Sequence, residues 1–388
     1  MTDKLATLGF KHLQSDWGLY ARPPTGRGQQ GWHGFVMILV YVDDFVLAGE
    51  SRRDLEEIIE QLKGFWKLSE IGEVGTILGM KVNRDRPNKL VYLSQPAYID
   101  QLLERFPEHA EYRNWAAPIG QQSIHNDEPA QLTLYQGIVG CMQWLAGCTR
   151  PDMSYTVSYL ARYSNNPTAA HWEMALRAVS YLSRSRDVGL ELGGTKRGGL
   201  QGYVDADWAG CIDTRRSTTG YVFELYGAPI VWSSQRLQTV ASSTVEAEYI
   251  ATAEAAKEAV WLRNLLKELW FLMLPTVLHV DNQGAIRLAM NPSTHQRTKH
   301  IDIRHHLIRD LIDDGTVQLK YVGTANQHAD ILTKALTGTR HRSNMEQLRL
   351  RPPPARGGVL KEDQSGRTQR MSQIDNGSPE KVQGHVSR

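Results

Sequence analysis

Cysteine is scarce. Only Cys141, Cys148 and Cys211 occur in 388 residues, with neither paired metal spacing nor a disulfide framework. A cysteine-ligated zinc module and a disulfide-stapled scaffold are therefore not expected, and a reducing compartment fits. Long apolar runs are missing too. No stretch reaches about 18 residues, so no membrane span is expected. The start, MTDKLATLGFKH, lacks the apolar core of a signal peptide. The expectation is an intracellular protein, cytoplasmic or nuclear, and not a secreted one. No charge of one sign dominates: Lys and Arg number 44, Asp and Glu 42, for a net charge of +2. That argues against a general basic coat for nucleic acid and leaves room for a local basic face. Large apolar residues are few beyond Gly338, where Arg, Gly, Pro and Ser dominate, and 338–388 is expected to be a disordered tail.

What is present suffices for two or three domains with real cores, since 41% of residues are hydrophobic. A turn-rich connector, RPPTGRGQQGWHG, precedes two apolar strands, Phe35–Val40 and Phe45–Ala48, which read as a hairpin around Tyr41-Val42-Asp43-Asp44. Leu55, Ile58, Ile59 and Leu62 share one face of a helix over 51–62. A strand pair near 76–82 and 90–93 and a helix near 96–105 follow. Residues 107–130 read as linker, and Thr133 to Ser183 as helical. From about Gly202 the order becomes β-β-β-α-β-α-β-α, an α/β domain of about 140 residues. The expected organisation is 1–115, 116–200 as a helical connection, 201–337 as the α/β domain, and the tail.

Four carboxylates stand out in the α/β domain: Asp205, Glu248, Asp281 and Asp330. Asp205 and Asp281 each end an apolar strand, GYVD and VLHVD, where ligand sites collect in open α/β sheets. A turn or helix-cap role is the ordinary alternative for either one, as helix capping is for Asp330. Glu248 follows from helix geometry. Ser243 and Glu246 are spaced as a capping box, S-x-x-E. Glu248 lies roughly 200° around the helix from Glu246, above Ala251, Ala255, Ala259, Leu262 and Leu266, which form the core stripe. A glutamate heading a buried stripe needs a partner, a basic residue or a metal cation, and nothing in the stripe suggests a basic one. A divalent ion shared with Asp205 and Asp281 supplies the partner, and oxygen-only ligation points to Mg²⁺ or Mn²⁺. Four acids around two such ions suit phosphodiester cleavage.

The segments VDADWAGCIDTRRSTTGYVF, WSSQRLQTVASSTVEAEYIA, VDNQGAIRLAMNP, TKHIDIRHHLIRD and YVGTANQHADILTK resemble the ribonuclease H domain of Ty1/copia-type retrotransposon polyproteins. The resemblance implies a ribonuclease H-like mixed sheet with flanking helices, and metal-dependent cleavage of the RNA strand of RNA–DNA hybrids. Its four metal-binding acids fall on Asp205, Glu248, Asp281 and Asp330. His328, close to Asp330, is a candidate for proton transfer or product release. His295, His300, His305 and His306 fit surface packing better than zinc, since no cysteine accompanies them. Arg215, Arg216, Ser217 and Thr218 are candidates for phosphate contact, a solvated hairpin turn being the alternative.

YVDD between two strands looks like the palm hairpin of a reverse transcriptase. GFKHLQSDWGLY, ILGMKVNRDRPNKLVYLSQPAYIDQLLERF and CTRPDMSYTVSYLARYSNNPTAAHWEMALRAVSYL resemble the same polymerase and its connection, which implies a truncated palm hairpin and thumb-like region over 1–115. In that family Asp43 and Asp44 would hold catalytic Mg²⁺. The third carboxylate and the nucleotide-binding part belong upstream of this sequence, so the expectation is half a polymerase site and no DNA synthesis by this chain alone. Exposed palm edges then invite association with the absent part or with a second copy. The alternative to a nuclease is a retroelement remnant that at most grips nucleic acid.

Overall fold

The structure is a computed structural model that describes residues 1–28, 31–69, 72–111, 115–120, 127–194, 198–211, 214–271, 274–290 and 307–354. After α1 (Thr2–Thr7), the strands β1 (Lys11–His12) and β2 (Leu19–Arg22) lead through the small pair β3 (Gly26–Gly28) and β4 (Gly31–His33) to the predicted hairpin. Its strands are β5 (Val36–Tyr41) and β6 (Asp44–Gly49), and the sheet order is β1-β2-β5-β6. Tyr41 pairs with Asp44, so Val42 and Asp43 form a two-residue turn. Such turns need positive φ, and Val42 takes it at 53° despite its branched Cβ. Asp43 and Asp44 are exposed at this tip, so the apolar strands around them impose no desolvation. α2 (Arg52–Lys63) buries Ile58 and Leu62 against the sheet, beside Val36 and Ile38.

A second sheet runs β7 (Thr76–Ile77), β8 (Met80–Asp85), β9 (Leu90–Ser94), then β10 (Gly189–Gly193) and β16 (Leu350–Arg351). Two features cross the expected divisions. β10, from the stretch read as a helical connection, pairs antiparallel with β9 across the boundary drawn at 115. The helices between them do pack as expected: α3 (Pro96–Arg105), α4 (Leu132–Cys148), α5 (Ser154–Ala161) and α6 (Ala169–Arg184) share one core around Tyr135, Met142, Leu160 and Leu182. The stretch read as linker also contributes buried Ile119.

The third sheet has the order β13-β12-β11-β14-β15, from β11 (Leu200–Asp207), β12 (Thr218–Leu225), β13 (Ala228–Arg236), β14 (Thr276–Val280) and β15 (Val317–Tyr321). β11 to β13 form an antiparallel meander, and β14 and β15 add in parallel to β11. α7 (Thr244–Glu268) covers one face, joined by α8 (Gln283–Met290) and α9 (307–313). The order matches the mixed α/β domain expected from the sequence.

The second feature that crosses the expected divisions is at the C-terminal side. After α10 (Asp330–Thr333), the chain forms α11 (Gly338–Gln347) and β16, and Met1–Pro352 is one compact unit. Leu348 and Leu350 are buried with Leu190, Val222 and Leu332. Their apolar side chains are few but well placed, and Arg349 makes a buried ion pair with Glu191 at 2.6 Å. No described helix is long and apolar enough to cross a membrane.

Candidate active site and family

Adjacent parallel strands bring the first two acids together. Val204 is paired with Val280, so Asp205 and Asp281 are each the next residue along neighbouring chains running the same way. Asp330 opens α10, which lies against β11 and β12. Gly220 is the register partner of Asp205; a Cβ there would sit 2.8 Å from Leu332 Cβ and Thr333 Cγ2. Only glycine permits that approach. Carboxylate oxygens of Asp205, Asp281 and Asp330 consequently lie within 4.8 Å of one another.

Glu248, on α7, lies outside that 4.8 Å set but feels the charges of Asp205 and Asp281. Its stripe is buried as predicted, with Ala251, Ala255, Ala259, Leu262 and Leu266 in the core. Ser243 Oγ accepts from Glu246 N at 3.1 Å, while Glu246 Oε2 accepts from Ser242 N, one residue earlier than the standard box. Glu248 Oε1 accepts from Ala206 N at 3.3 Å, and its buried Oε2 has no hydrogen-bond partner. Burial, then the charges of Asp205 and Asp281, push the Glu248 carboxyl well above the usual range. Burial likewise raises Asp205 to about 6, opposed by Lys334 and reinforced by Asp330. Asp281 is raised for the same first reason.

Four residues that the sequence reading passed over hold these acids in place. Thr333 Oγ1 donates to Asp205 Oδ2. Lys334 Nζ lies 2.9 Å from Asp330 Oδ1 and 3.4 Å from Asp205 Oδ2. Arg340 donates to Asp330 Oδ2 at 3.0 Å and also to the carbonyls of Thr324 and Ala325. Thr324 Oγ1 in turn donates to Asp281 Oδ2. The spacing of Asp330 and Lys334, four apart, was a readable signal. Arg340 was hidden in the segment expected to be disordered.

Hard oxygen donors alone, converging and including one buried oxygen without a partner, fit Mg²⁺ or Mn²⁺ better than zinc.

Comparison with known proteins matches the first part of the chain to a polymerase family model and most of its length to retrotransposon proteins. The family model described as reverse transcriptase (RNA-dependent DNA polymerase) matches residues 1–119. The retrovirus-related Pol polyprotein from transposon TNT 1-94 of Nicotiana tabacum is 35% identical over 314 residues, 78% of this chain and 24% of that protein. A putative transposon Ty5-1 protein of Saccharomyces cerevisiae is 31% identical over 268 residues, covering 66% of this chain and 82% of its own. The chain belongs to the Ty1/copia-type retrotransposon Pol family. It spans about a quarter of the plant Pol polyproteins that it matches. Among solved structures, LC11-RNase H1 in complex with RNA/DNA hybrid aligns with 34% of this chain and 93% of its own, at 14% identity and a TM-score of 0.27.

Other candidate residues of this copia-type Pol chain fare differently. Ser217 and Thr218 are buried. Ser217 Oγ accepts from Ala209 N, and Thr218 Oγ1 accepts from Arg162 at 2.9 Å. Their hydroxyls thus close a turn and a strand start, which corrects the expectation of a phosphate-contacting surface. Arg215 is exposed and Arg216 half-buried, in a turn where Arg215 N donates to Cys211 O. His328 has its Nδ1 2.6 Å from Glu224 Oε1 and its ring stacked on Tyr203 at 3.8 Å. His295, His300, His305 and His306 fall outside the described residues. Among the described residues, no third carboxylate converges on Asp43 and Asp44.

Proposed function

We propose that this chain cleaves the RNA strand of RNA–DNA hybrids in a reaction that depends on Mg²⁺ or Mn²⁺. The observation that carries this reading is the convergence of Asp205, Asp281 and Asp330 within 4.8 Å, with the unpartnered oxygen of Glu248 in the same charge cluster. These four acids would hold the ions. The chemistry such ions supply when bound is activation of water and stabilisation of the leaving oxygen. The protein's own part is preorganisation. Thr333 orients Asp205, Thr324 orients Asp281, Arg340 anchors Asp330, and Ala206 N fixes one oxygen of Glu248. Arg215 and Arg216, at a surface turn, remain the candidates for phosphate contact.

The exposed hairpin with Asp43 and Asp44 supports the companion reading that a polypeptide of these 388 residues does not extend primers. Polymerase chemistry of this type needs more carboxylates than that hairpin gathers.

The test is incubation of the purified protein with labelled RNA–DNA hybrid, with and without Mg²⁺, and with single-stranded RNA as control. Hybrid-specific, metal-dependent cutting is expected. Asp281→Asn and Glu248→Gln should each lower it by about two orders of magnitude or more, the scale of losing one preorganised group. A well-folded protein that leaves the hybrid intact would make the nuclease reading untenable in favour of a nucleic-acid-gripping remnant.

A further inference from the structure

Lys334 is placed unusually for a residue of a metal-binding cluster. Its ammonium bridges Asp330 and Asp205, at 2.9 and 3.4 Å, and its side chain is one-third exposed. Its charge also acts on Asp207, Glu248 and Asp281. The other cation paired here, Arg340, reaches Asp330 and is tied to two backbone carbonyls. Among the described residues, Asp205 and Asp330 thus share the partly exposed Lys334, Asp330 pairs also with Arg340, and Asp207 feels Arg162 as well as Lys334.

Carboxylate oxygens that ligate a divalent ion cannot keep an ammonium at about 3 Å without strong cation–cation repulsion. Arg340 holds its position through the carbonyls of Thr324 and Ala325. Lys334 has a flexible four-carbon stem and an exposed route outward, and a lysine head is readily hydrated.

We infer that Lys334 is a built-in counter-cation, a positioning residue that holds Asp205 and Asp330 together before metal arrives and must swing out to admit it, thereby setting the metal affinity of the site. This rests on the metal-site reading above. Metal-free, the salt bridges of Lys334 stabilise the acid cluster. Metal-bound, they are replaced. Lys334 thus weakens apparent metal binding while protecting the empty site.

The experiment is Mg²⁺ titration of the full chain by calorimetry, together with melting curves in EDTA and in saturating Mg²⁺, for wild type, Lys334→Met and Lys334→Arg. Lys334→Met should bind Mg²⁺ roughly tenfold or more tightly, melt earlier in EDTA, and show a larger Mg²⁺-induced rise in Tm. Lys334→Arg keeps the charge and should stay within a few-fold of wild type. Should Lys334→Met not fold in EDTA but fold in Mg²⁺, the stabilising half is met directly. Unchanged or weaker Mg²⁺ affinity in a folded Lys334→Met protein would overturn the inference. Wild type that binds no Mg²⁺ would instead overturn the metal-site reading itself. Wild type that binds Mg²⁺ and cuts hybrid, with Lys334→Met matching it in affinity, would remove only the role assigned to Lys334.

Discussion

At the residue scale, the buried acids make stability depend on pH in a direction opposite to that of ordinary surface carboxylates. Asp205 titrates at about 6 because burial outweighs the help it receives from Lys334. An unfolded aspartate titrates near about 3.9. The folded group holds its proton more tightly, so its stabilising contribution is complete below about pH 4 and disappears as pH rises through about 6. The gap corresponds to roughly 3 kcal/mol. In EDTA, Asp205→Asn should therefore gain on wild type between about pH 4 and pH 7, melting at a higher temperature at neutral pH but not at the acid end. Parallel melting profiles for the two proteins across that window would show that burial of Asp205 carries no such penalty. Glu248 could be read from sequence because its helix declares a core stripe, and a carboxylate at the head of that stripe must be matched by a cation. Ser217 and Thr218 could not. A hydroxyl suits a phosphate and a buried turn equally well, and only the pairing of Thr218 with Arg162 separates the two.

At the scale of elements, the site depends on how closely α10 approaches β12. Gly220 sits opposite Asp205 in the ladder, and the last residues of α10 occupy the space a side chain would need. Gly220→Ala should push α10 outward, displacing Thr333 from Asp205 and Asp330 from the cluster. The expected cost is about 1–3 kcal/mol, typical of overpacking, read from urea unfolding, with a loss of hybrid cleavage beyond the loss of folded protein. A variant as stable and as active as wild type would mean that α10 tolerates displacement. Alternation and helical spacing made β5, β6, β11, β14 and α7 readable in advance. β10 was not readable as a partner of β9, because Leu190 and Leu93 are joined across a long intervening helical stretch. Nothing local in GLELG specifies which edge it joins.

At the scale of the whole molecule, the three sheets are tied together by contacts far apart in sequence. Glu268 at the end of α7 accepts from Gln14 N and Ser15 N, and Trp261 donates to Ser15 O. Trp232 of β13 donates to Ala146 O of α4. Arg150 and Asp152, both fully buried, form a two-pronged pair that Tyr181 completes, and His341 of α11 packs edge-on against Tyr181. The segment 338–351 adds a further link between the second and third sheets, and its composition concealed this. Arg, Gly and Pro dominate the sequence after Gly338, and a few side chains, Leu348, Leu350 and Met345 with the polar anchors Arg340, His341, Asn344, Gln347 and Arg349, fix its first turns and last strand. Asn344 Nδ2 donates to Gln327 O, which steadies the approach to α10, and Arg340 secures Asp330 itself. Removing this segment should thus affect both stability and the acid cluster. Each buried leucine is worth about 1.5–3 kcal/mol, and unpairing buried Glu191 from Arg349 adds about 3–5 kcal/mol. The sum approaches the whole stability of an ordinary domain, about 5–15 kcal/mol. A chain stopped after Thr337 should therefore unfold at a far lower temperature than one stopped after Pro352, and lose Mg²⁺ binding along with it. Equal melting temperatures for the two truncations, measured by circular dichroism, would mean that α11 and β16 merely rest on a fold that is complete without them.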